Sequence, residues 1–551
     1  MKDNNKPYYI LLFVLALVVN FAGINVKFFT DDPGLYASIS KNLLYRKEFL
    51  ELFTYNQDWL DKPHFPFWMV MLSFKLFSIN VWAYRLPALL FFALGLRYTY
   101  LFTKKYYGQD IAWTAVLILA TSQHVIMSNT DVRAEPYLMA LVIGSIYHIS
   151  NLEERFKFPD LLLAALLTAC ALMSKGLFVV VAIYGALFGQ LIFQKKYDQI
   201  LKFKWVFLVM LTLVFTLPEF YALYIQFDLH PEKTVFNRHN VSGIKWFLWD
   251  SQFGRFVNNG PITRKSGDLF FYLHTLLWAF APWCLVFYYA IYKNIKEILL
   301  KRELAEYYAL SGGLLLLLLF SLSRFQLPFY TNTIFPLFAI ITAPFCNKQL
   351  SHFGTSYRLI SLWAYAIALT LAILVINYFL KPAHIVFFIT DVTVLGIVVF
   401  VIMNKVEKPY LKAFFINCIA ALFANFYLNT VFYNEVVSYN GQIKAAEYIN
   451  QGIFNKYHIY SLTFENNVFQ FYSKRPVDLI QPDSFKQFKP LTFSAFYVNH
   501  KSMDSLIKKH VDFKVIKAFE DYPQEAILPA FINRSTRYRV LDSVYLITKS
   551  H

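Results

Sequence analysis

Residues 66–80 read PFWMVMLSFKLFSIN, and whether this run crosses a bilayer decides which side of the membrane every later loop occupies. It is short, carries Lys75 in its middle and begins with Pro66. A helix spanning the ~30 Å hydrocarbon core needs about 20 apolar residues. We therefore read 66–80 as a helix lying in the outer interface. A short spanning helix is the alternative, because short apolar runs are ambiguous by pattern alone.

The rest of the chain is built for lipid. Of its 551 residues 57% are hydrophobic and only 16% charged, a balance foreign to soluble globular domains. Besides 66–80, thirteen apolar runs fall near 7–26, 82–102, 111–128, 134–150, 160–174, 176–194, 204–224, 269–292, 306–322, 327–346, 357–379, 384–403 and 411–431. If the first crosses outward, the positive-inside rule places KK at 104–105, EERFK at 153–157, QKKYDQ at 194–199, KNIKEILLKRE at 293–303 and NKVEK at 404–408 in the cytoplasm. All five agree only if 66–80 does not cross. About thirteen spans result.

This topology puts three segments outside: a first loop at 27–81, a second at 225–268, and everything after 432. The last changes character. YNGQIKAAEYINQG has a helical pattern, and HIYSLTF, FSAFYV and DSVYLIT are short β-rich runs. We expect a membrane domain over 1–431 and a soluble α/β domain over 432–551, a size within the usual domain range.

A net charge of +17 would suggest nucleic acid in a soluble protein, but here Lys and Arg fall mostly in short loops between apolar runs, where they orient helices. Cys170, Cys284, Cys346 and Cys418 lie within apolar runs and read as reduced packing residues, with no disulfide framework or metal cluster. The N-terminus has basic residues, then an apolar core and no small-residue cleavage site, which reads as a retained signal anchor. There is no internal repeat, P-loop, Rossmann glycine fingerprint or HExxH.

Charged groups at the edge of lipid are expensive and call for a reason. On the predicted outer side they recur at turn after turn. FFTDDPGLYASISKNL (28–43) holds Asp31 and Asp32, and Asp61, Lys62 and His64 share that loop. SNTDVRAEPYL holds Asp131, Arg133 and Glu135, and MSKGL holds Lys175. WFLWDSQFGRF holds Arg255, and SLSRFQLPFY holds Arg324, Gln326 and Tyr330. Cations beside carboxylates at an interface suit a lipid phosphate: the cations hold the leaving group, and a carboxylate deprotonates an acceptor or binds a divalent ion. Each element also has a plain reading. Asp31 and Asp32 before Pro33 are ordinary helix-capping grammar, Lys175 can snorkel in a tight hairpin, Arg133 and Glu135 can be a structural ion pair, and Arg255 a surface charge near headgroups.

The ordered set of motifs over residues 28 to about 345 resembles the GT-C fold glycosyltransferases that use polyprenyl-phosphate sugars. The nearest branch holds the aminoarabinose lipid A transferases and the bacterial protein-mannosyltransferase-like (PMT) proteins. TDDPGLYASISKNLL resembles their Asp-Glu-x-x-Tyr-Ala signature, LDKPHFPFW their Glu-Lys-Pro segment, and FSINVWAYRLPALL their Arg-x-Pro stretch. VRAEPYL resembles their acidic-Pro motif, MSKGL their Thr-Lys-Gly, FGRF and FYLHTLLWAFAPW their arginine and Tyr-Leu…Pro-Trp run, and SLSRFQLPFY their Lys-Leu-Pro-x-Tyr element.

The resemblance implies a polytopic α-helical membrane protein of GT-C fold with about 13 transmembrane helices and a C-terminal extracytoplasmic α/β domain. It implies transfer of a sugar from an undecaprenyl- or dolichyl-type phosphate to an external acceptor, and a multi-pass protein of the bacterial inner membrane. Asp31 takes the acceptor-activating position, with Asp32 (for the usual Glu) and Glu135 (for an Asp) near it. Lys62, Lys175, Arg255 and Tyr330 take donor-phosphate positions. Asp61 stands where the family often has a metal-binding Glu, so a divalent ion is a candidate cofactor; no nucleotide cofactor is expected. Arg133, Gln326 (for the usual Lys) and Tyr272 are further cavity candidates. A monomer acting on a lipid-linked donor and a lipid or protein acceptor is expected. A transporter or flippase of a lipid-linked or anionic substrate is the rival reading, though it does not call for charges gathered on one face and usually shows inverted repeats. A scaffold protein does not account for carboxylates and cations recurring at three or more outer turns.

Overall fold

The computed structural model describes residues 5–263, 267–382, 385–463, 466–490, 493–522 and 527–549. Each of the fourteen apolar runs is mainly helical over its described residues, the run at 269–292 being split into Phe271–Ala279 and Cys284–Leu299. The first ten helices are α1 (Lys6–Ala22), α2 (Asp31–Arg46), α3 (Phe65–Phe77), α4 (Val81–Tyr107), α5 (Gln109–Thr121), α6 (Gln123–Thr130), α7 (Glu135–Glu154), α8 (Phe158–Lys175), α9 (Phe178–Phe193) and α10 (Phe203–Leu223). Among the described residues seven helices are individually long and apolar enough to span a bilayer, and α5 with α6, bent by 55° at their junction, makes an eighth candidate. The molecule is a polytopic helical membrane protein.

Burial sorts the helices. The apolar residues of α7 are buried on every side, from Tyr137 and Leu138 to Ile146 and Ile149, as befits a central helix. The helices His352–Leu380 and Ile385–Lys405 instead expose Ile360, Ile367, Leu371, Val386 and Phe400. An apolar face that stays open in a chain this hydrophobic is a lipid face. Helix α3 has 13 residues, about 20 Å at 1.5 Å per residue, well short of the hydrocarbon core.

The first loop is ordered by its own elements. Helix α2 is followed by a hairpin of β1 (Phe53–Thr54) and β2 (Gln57–Asp58), then by α3. Arg85, fully buried in α4, explains the Arg-Pro stretch: its guanidinium donates to the carbonyls of Ile24 (3.0 Å), Val26 and Thr130 (2.7 Å). One side chain thus ties the exit of α1 to the end of α6, so α2 begins at a fixed place.

The C-terminal region forms a five-stranded mixed sheet in the order β4-β3-β5-β7-β6, from β3 (His458–Ser461), β4 (Val477–Leu479), β5 (Ser494–Val498), β6 (Phe513–Asp521) and β7 (Asp542–Lys549). β3 pairs in parallel with β4 and β5, and β7 runs antiparallel to β5 and β6. Alternation splits the side chains between two cores. Ile459, Tyr497 and Leu546 pack on one face with Ala446, Ile449 and Phe469, and Tyr460, Phe496 and Ile547 pack on the other with Met503 and Leu506. The short helix Asn467–Tyr472 lies directly against α2. There Gly34 is required by closeness, since a Cβ would stand 2.7 Å from the backbone nitrogen of Val468.

Candidate active site

Six segments meet at one end of the helix bundle: the start of α2, the turn before α3, the start of α7, the end of α8, the helix Ser251–Val257, and a 3-10 stretch at Pro328–Ile334. Two charge clusters result, side by side.

The first is built on Asp61, whose oxygens accept from Lys62 and Arg255. Although burial alone would raise it, Arg255 and Lys62 hold the Asp61 carboxyl below its usual range. Burial and the neighbouring Arg255 bring Lys62 down to about 8 despite Asp61. Two cations share one carboxylate, leaving the cluster one positive charge in surplus. Lys175 joins the same narrow cleft, which Asp61, Lys62, Glu219, Gln252 and Arg255 also line. Lys175 is paired with Glu135, and both are buried. The MSKGL motif follows from this geometry. Gly176 ends α8 at φ +95°, and a Cβ there would stand 2.3 Å from Gln252 Nε2, so glycine supplies both the left-handed turn and the room for the helix that carries Arg255.

The second cluster is built on Arg133. It pairs with Asp32 at 2.5 Å and with Asp131 at 2.9 Å, and Asp131 also accepts from the Thr30 hydroxyl. Two carboxylates share one cation, so this side has a surplus negative charge. Asp32 is the open member, with 48% of its side chain exposed. The clusters meet over aromatic rings. Arg133 lies 4.4 Å from the centre of Phe329, and Lys175 lies 5.1 Å from Phe329 and 4.6 Å from Tyr330. Ring faces attract cations, the more so where water is excluded.

Asp31 is engaged differently. Its carboxylate accepts from the backbone N–H of Asn467 (2.8 Å), from the Asn467 side chain and, more loosely, from the N–H of Val468 at 3.4 Å. Burial raises it to about 6, against these hydrogen bonds. Position in the sequence places Asp31 and Asp32 together; the helical turn points them to different partners. Gln326 and Tyr272 likewise serve the backbone. Gln326 Nε2 donates to the carbonyls of Asp268 and Ser321, both at 3.1 Å. The Tyr272 hydroxyl bonds both the carbonyl and the N–H of Leu327 at 3.2 Å, fixing the entry to the stretch that carries Phe329 and Tyr330.

A divalent ion does not suit this donor set. Asp61 already bears two cations, and no group of three His, Cys, Asp or Glu able to hold a metal occurs among the described residues.

Glu219 is a residue the sequence reading passed over. Fully buried in α10, it accepts from the His64 backbone N–H (3.1 Å) and faces His64 Nδ1 (3.0 Å), while His64 Nε2 faces the Leu50 carbonyl at 3.0 Å. A carbonyl can only accept, so the Nε2 contact is one in which the ring donates. This pair anchors the Asp61–Lys62 turn to the membrane helix. The signal was a lone carboxylate inside an apolar run.

The dolichyl-phosphate-mannose-protein mannosyltransferase family matches residues 61–221. The whole chain superposes on ArnT from Cupriavidus metallidurans bound to undecaprenyl phosphate with a TM-score of 0.75 and 16% identity, over 98% of each chain. The chain has the fold of ArnT, and one segment of it resembles the dolichyl-phosphate-mannose-protein mannosyltransferases. An uncharacterized protein of Aquifex aeolicus is 27% identical over 66% of this chain and 68% of its own length. Undecaprenyl phosphate-alpha-4-amino-4-deoxy-L-arabinose arabinosyl transferase 1 of Pseudomonas fluorescens is 22% identical over 59% of this chain; the match spans about half of that enzyme, 54%. The family match takes in Asp61, Lys62, Arg133, Glu135, Lys175 and Glu219, whereas Asp31, Asp32, Arg255 and Tyr330 lie outside it.

Proposed function

We propose that the protein transfers a sugar from a polyprenyl phosphate of the undecaprenyl type to an acceptor on the outer face of the bacterial inner membrane. The observation that carries this reading is the division of charge between two adjoining clusters. A surplus cation at Asp61–Lys62–Arg255 suits a phosphate, and a surplus carboxylate at Arg133 suits an acceptor that must lose a proton.

In the proposed reaction Asp32 takes the proton from an acceptor hydroxyl or amine, whose freed electron pair attacks the anomeric carbon. The bond from that carbon to the phosphate oxygen breaks, and the polyprenyl phosphate leaves with the electron pair, held by Lys62 and Arg255 with Lys175 beside them. One displacement inverts the anomeric centre. Lipid A, a protein and a surface glycan all present the hydroxyls this chemistry needs. Asp61 acts here as the carboxylate that positions Lys62 and Arg255, and no metal step is included. The protein acts as a monomer.

Purified protein in vesicles, supplied with an undecaprenyl-phosphate sugar carrying a radiolabel and with membrane acceptors, is expected to move the label covalently to the acceptor with inverted configuration. Label that only changes leaflet, still on its lipid, would support the transporter instead. The same assay tests the anchoring pair: Glu219→Ala strips two partners from His64, and hydrogen bonds to a charged group are each worth about 1.5–3 kcal/mol. The donor KM is expected to rise on the order of tenfold or more. An unchanged KM would mean that the Asp61–Lys62 turn holds its place without α10.

A further inference from the structure

The soluble domain meets α2 at the short helix Asn467–Tyr472 and the residue after it, and the contact has an unusual chemistry. At one end of that helix Asp31 accepts from the N–H groups of Asn467 and Val468 and from the Asn467 side chain. At the other end the Lys41 ammonium donates to three carbonyls, those of Gln470 (2.9 Å), Phe471 (3.1 Å) and Ser473 (2.6 Å). Between them Ser38 donates to the Asn467 carbonyl at 3.0 Å, and Gly34 allows the two backbones to touch. Lys41 is 3% exposed and has no carboxylate partner among its hydrogen bonds. A buried ammonium whose hydrogen bonds all go to backbone oxygens, with the Tyr45 ring 5.4 Å away, is costly to place, and one that makes three such bonds fixes its surroundings closely.

The donors and acceptors match one to one. A helix end leaves N–H groups unbonded at its start and carbonyls at its finish; α2 supplies an anion to the first and a cation to the second, ten residues apart. Sliding or tilting α2 along Asn467–Tyr472 breaks both sets at once. Asp32 immediately follows Asp31, so its carboxylate moves with the clamp.

We infer that the C-terminal domain is a positioning part of the active site: Asp31, Lys41 and Asn467 clamp α2 so that Asp32 stays against Arg133. This rests on the reading of Asp32 as the group that takes the acceptor proton. Asp31 and Lys41 act through α2 and do not touch substrate. The domain's role is mechanical alignment of a helix in the membrane domain, whatever else its sheet binds.

The test uses the full-length protein in vesicles, with Lys41→Met, Asn467→Ala and the conservative Lys41→Arg. Lys41→Met is expected to lower kcat by about tenfold or more with the donor KM within about twofold, since three carbonyls lose a charged donor but the phosphate cluster is untouched. Lys41→Arg keeps a cation that can reach the same carbonyls and is expected to recover most of kcat. Amide exchange, read independently of activity, is expected to speed up in 31–46 and 467–472 of Lys41→Met and Asn467→Ala and stay unchanged elsewhere. Normal kcat in Lys41→Met would overturn the inference, as would unchanged exchange in those two segments. So would a general rise in exchange with kcat and KM failing together, which marks plain unfolding. If the wild-type chain transfers no label, the proposed reaction is what fails, and the exchange pattern still decides whether the clamp exists.

Discussion

Asp32→Asn is expected to abolish most of the transfer, lowering kcat by about 10²–10⁴, the usual worth of a positioned general base. Asparagine keeps the shape and still accepts a hydrogen bond from Arg133, but it cannot take a proton. The donor KM should change little, because Asp32 pairs with Arg133 and not with the cations around Asp61. Asp31→Asn makes the informative comparison. Its carboxylate is taken up by Asn467, so an amide there weakens alignment and leaves the open carboxylate in place. Its loss should be clearly smaller than that of Asp32→Asn. Steady-state rates with the labelled donor decide the matter, and the reverse order of effects would return the acceptor-activating role to Asp31.

Lys175→Met has the second large effect, and it falls on stability first. Lys175 and Glu135 are 4% and 1% exposed, so removing the cation strands a buried carboxylate. Breaking a buried pair from one side typically costs about 3–5 kcal/mol. The midpoint of thermal unfolding in detergent should drop accordingly. Lys175→Met combined with Glu135→Gln should recover most of that loss, because no uncompensated charge remains. Activity should stay low in both, since the cleft beside Arg255 has lost a cation. A double variant as unstable as the single one would show that Lys175 matters by packing against Phe329 and Tyr330 and not by charge.

The helix at 66–80 could be read from its residues: the apolar run after Pro66 predicts it, and α3 covers Phe65–Phe77. Apolar length is a one-dimensional property, and the sequence displays it directly. The segments that converge at the site were legible for a similar reason, because an ionised group at a lipid boundary stands out wherever it occurs. Pairings were another matter. That Asp61 holds Arg255, 194 residues away, and that Lys175 holds Glu135, depends on how the helices lean together, and no local pattern encodes it. Adjacent Asp31 and Asp32 look equivalent in sequence. Only the helical turn between them, and a partner helix 436 residues downstream, gives them separate tasks. Lys41 left no trace in the sequence reading, since a lysine on an amphipathic helix is ordinarily solvated.

The distance along the chain between Asp31 and Asn467 also sets an order of events during synthesis. At about 5–20 residues per second the ribosome takes roughly 20–90 s to travel from one to the other. Throughout that interval α1 to α10 can insert and the two charge clusters can gather, while α2 lacks its outer brace. A late-emerging stretch is the one that locks the first loop. Alignment of α2 is thereby tied to the arrival of Asn467, and a chain that has not yet reached it holds its charge clusters without the brace.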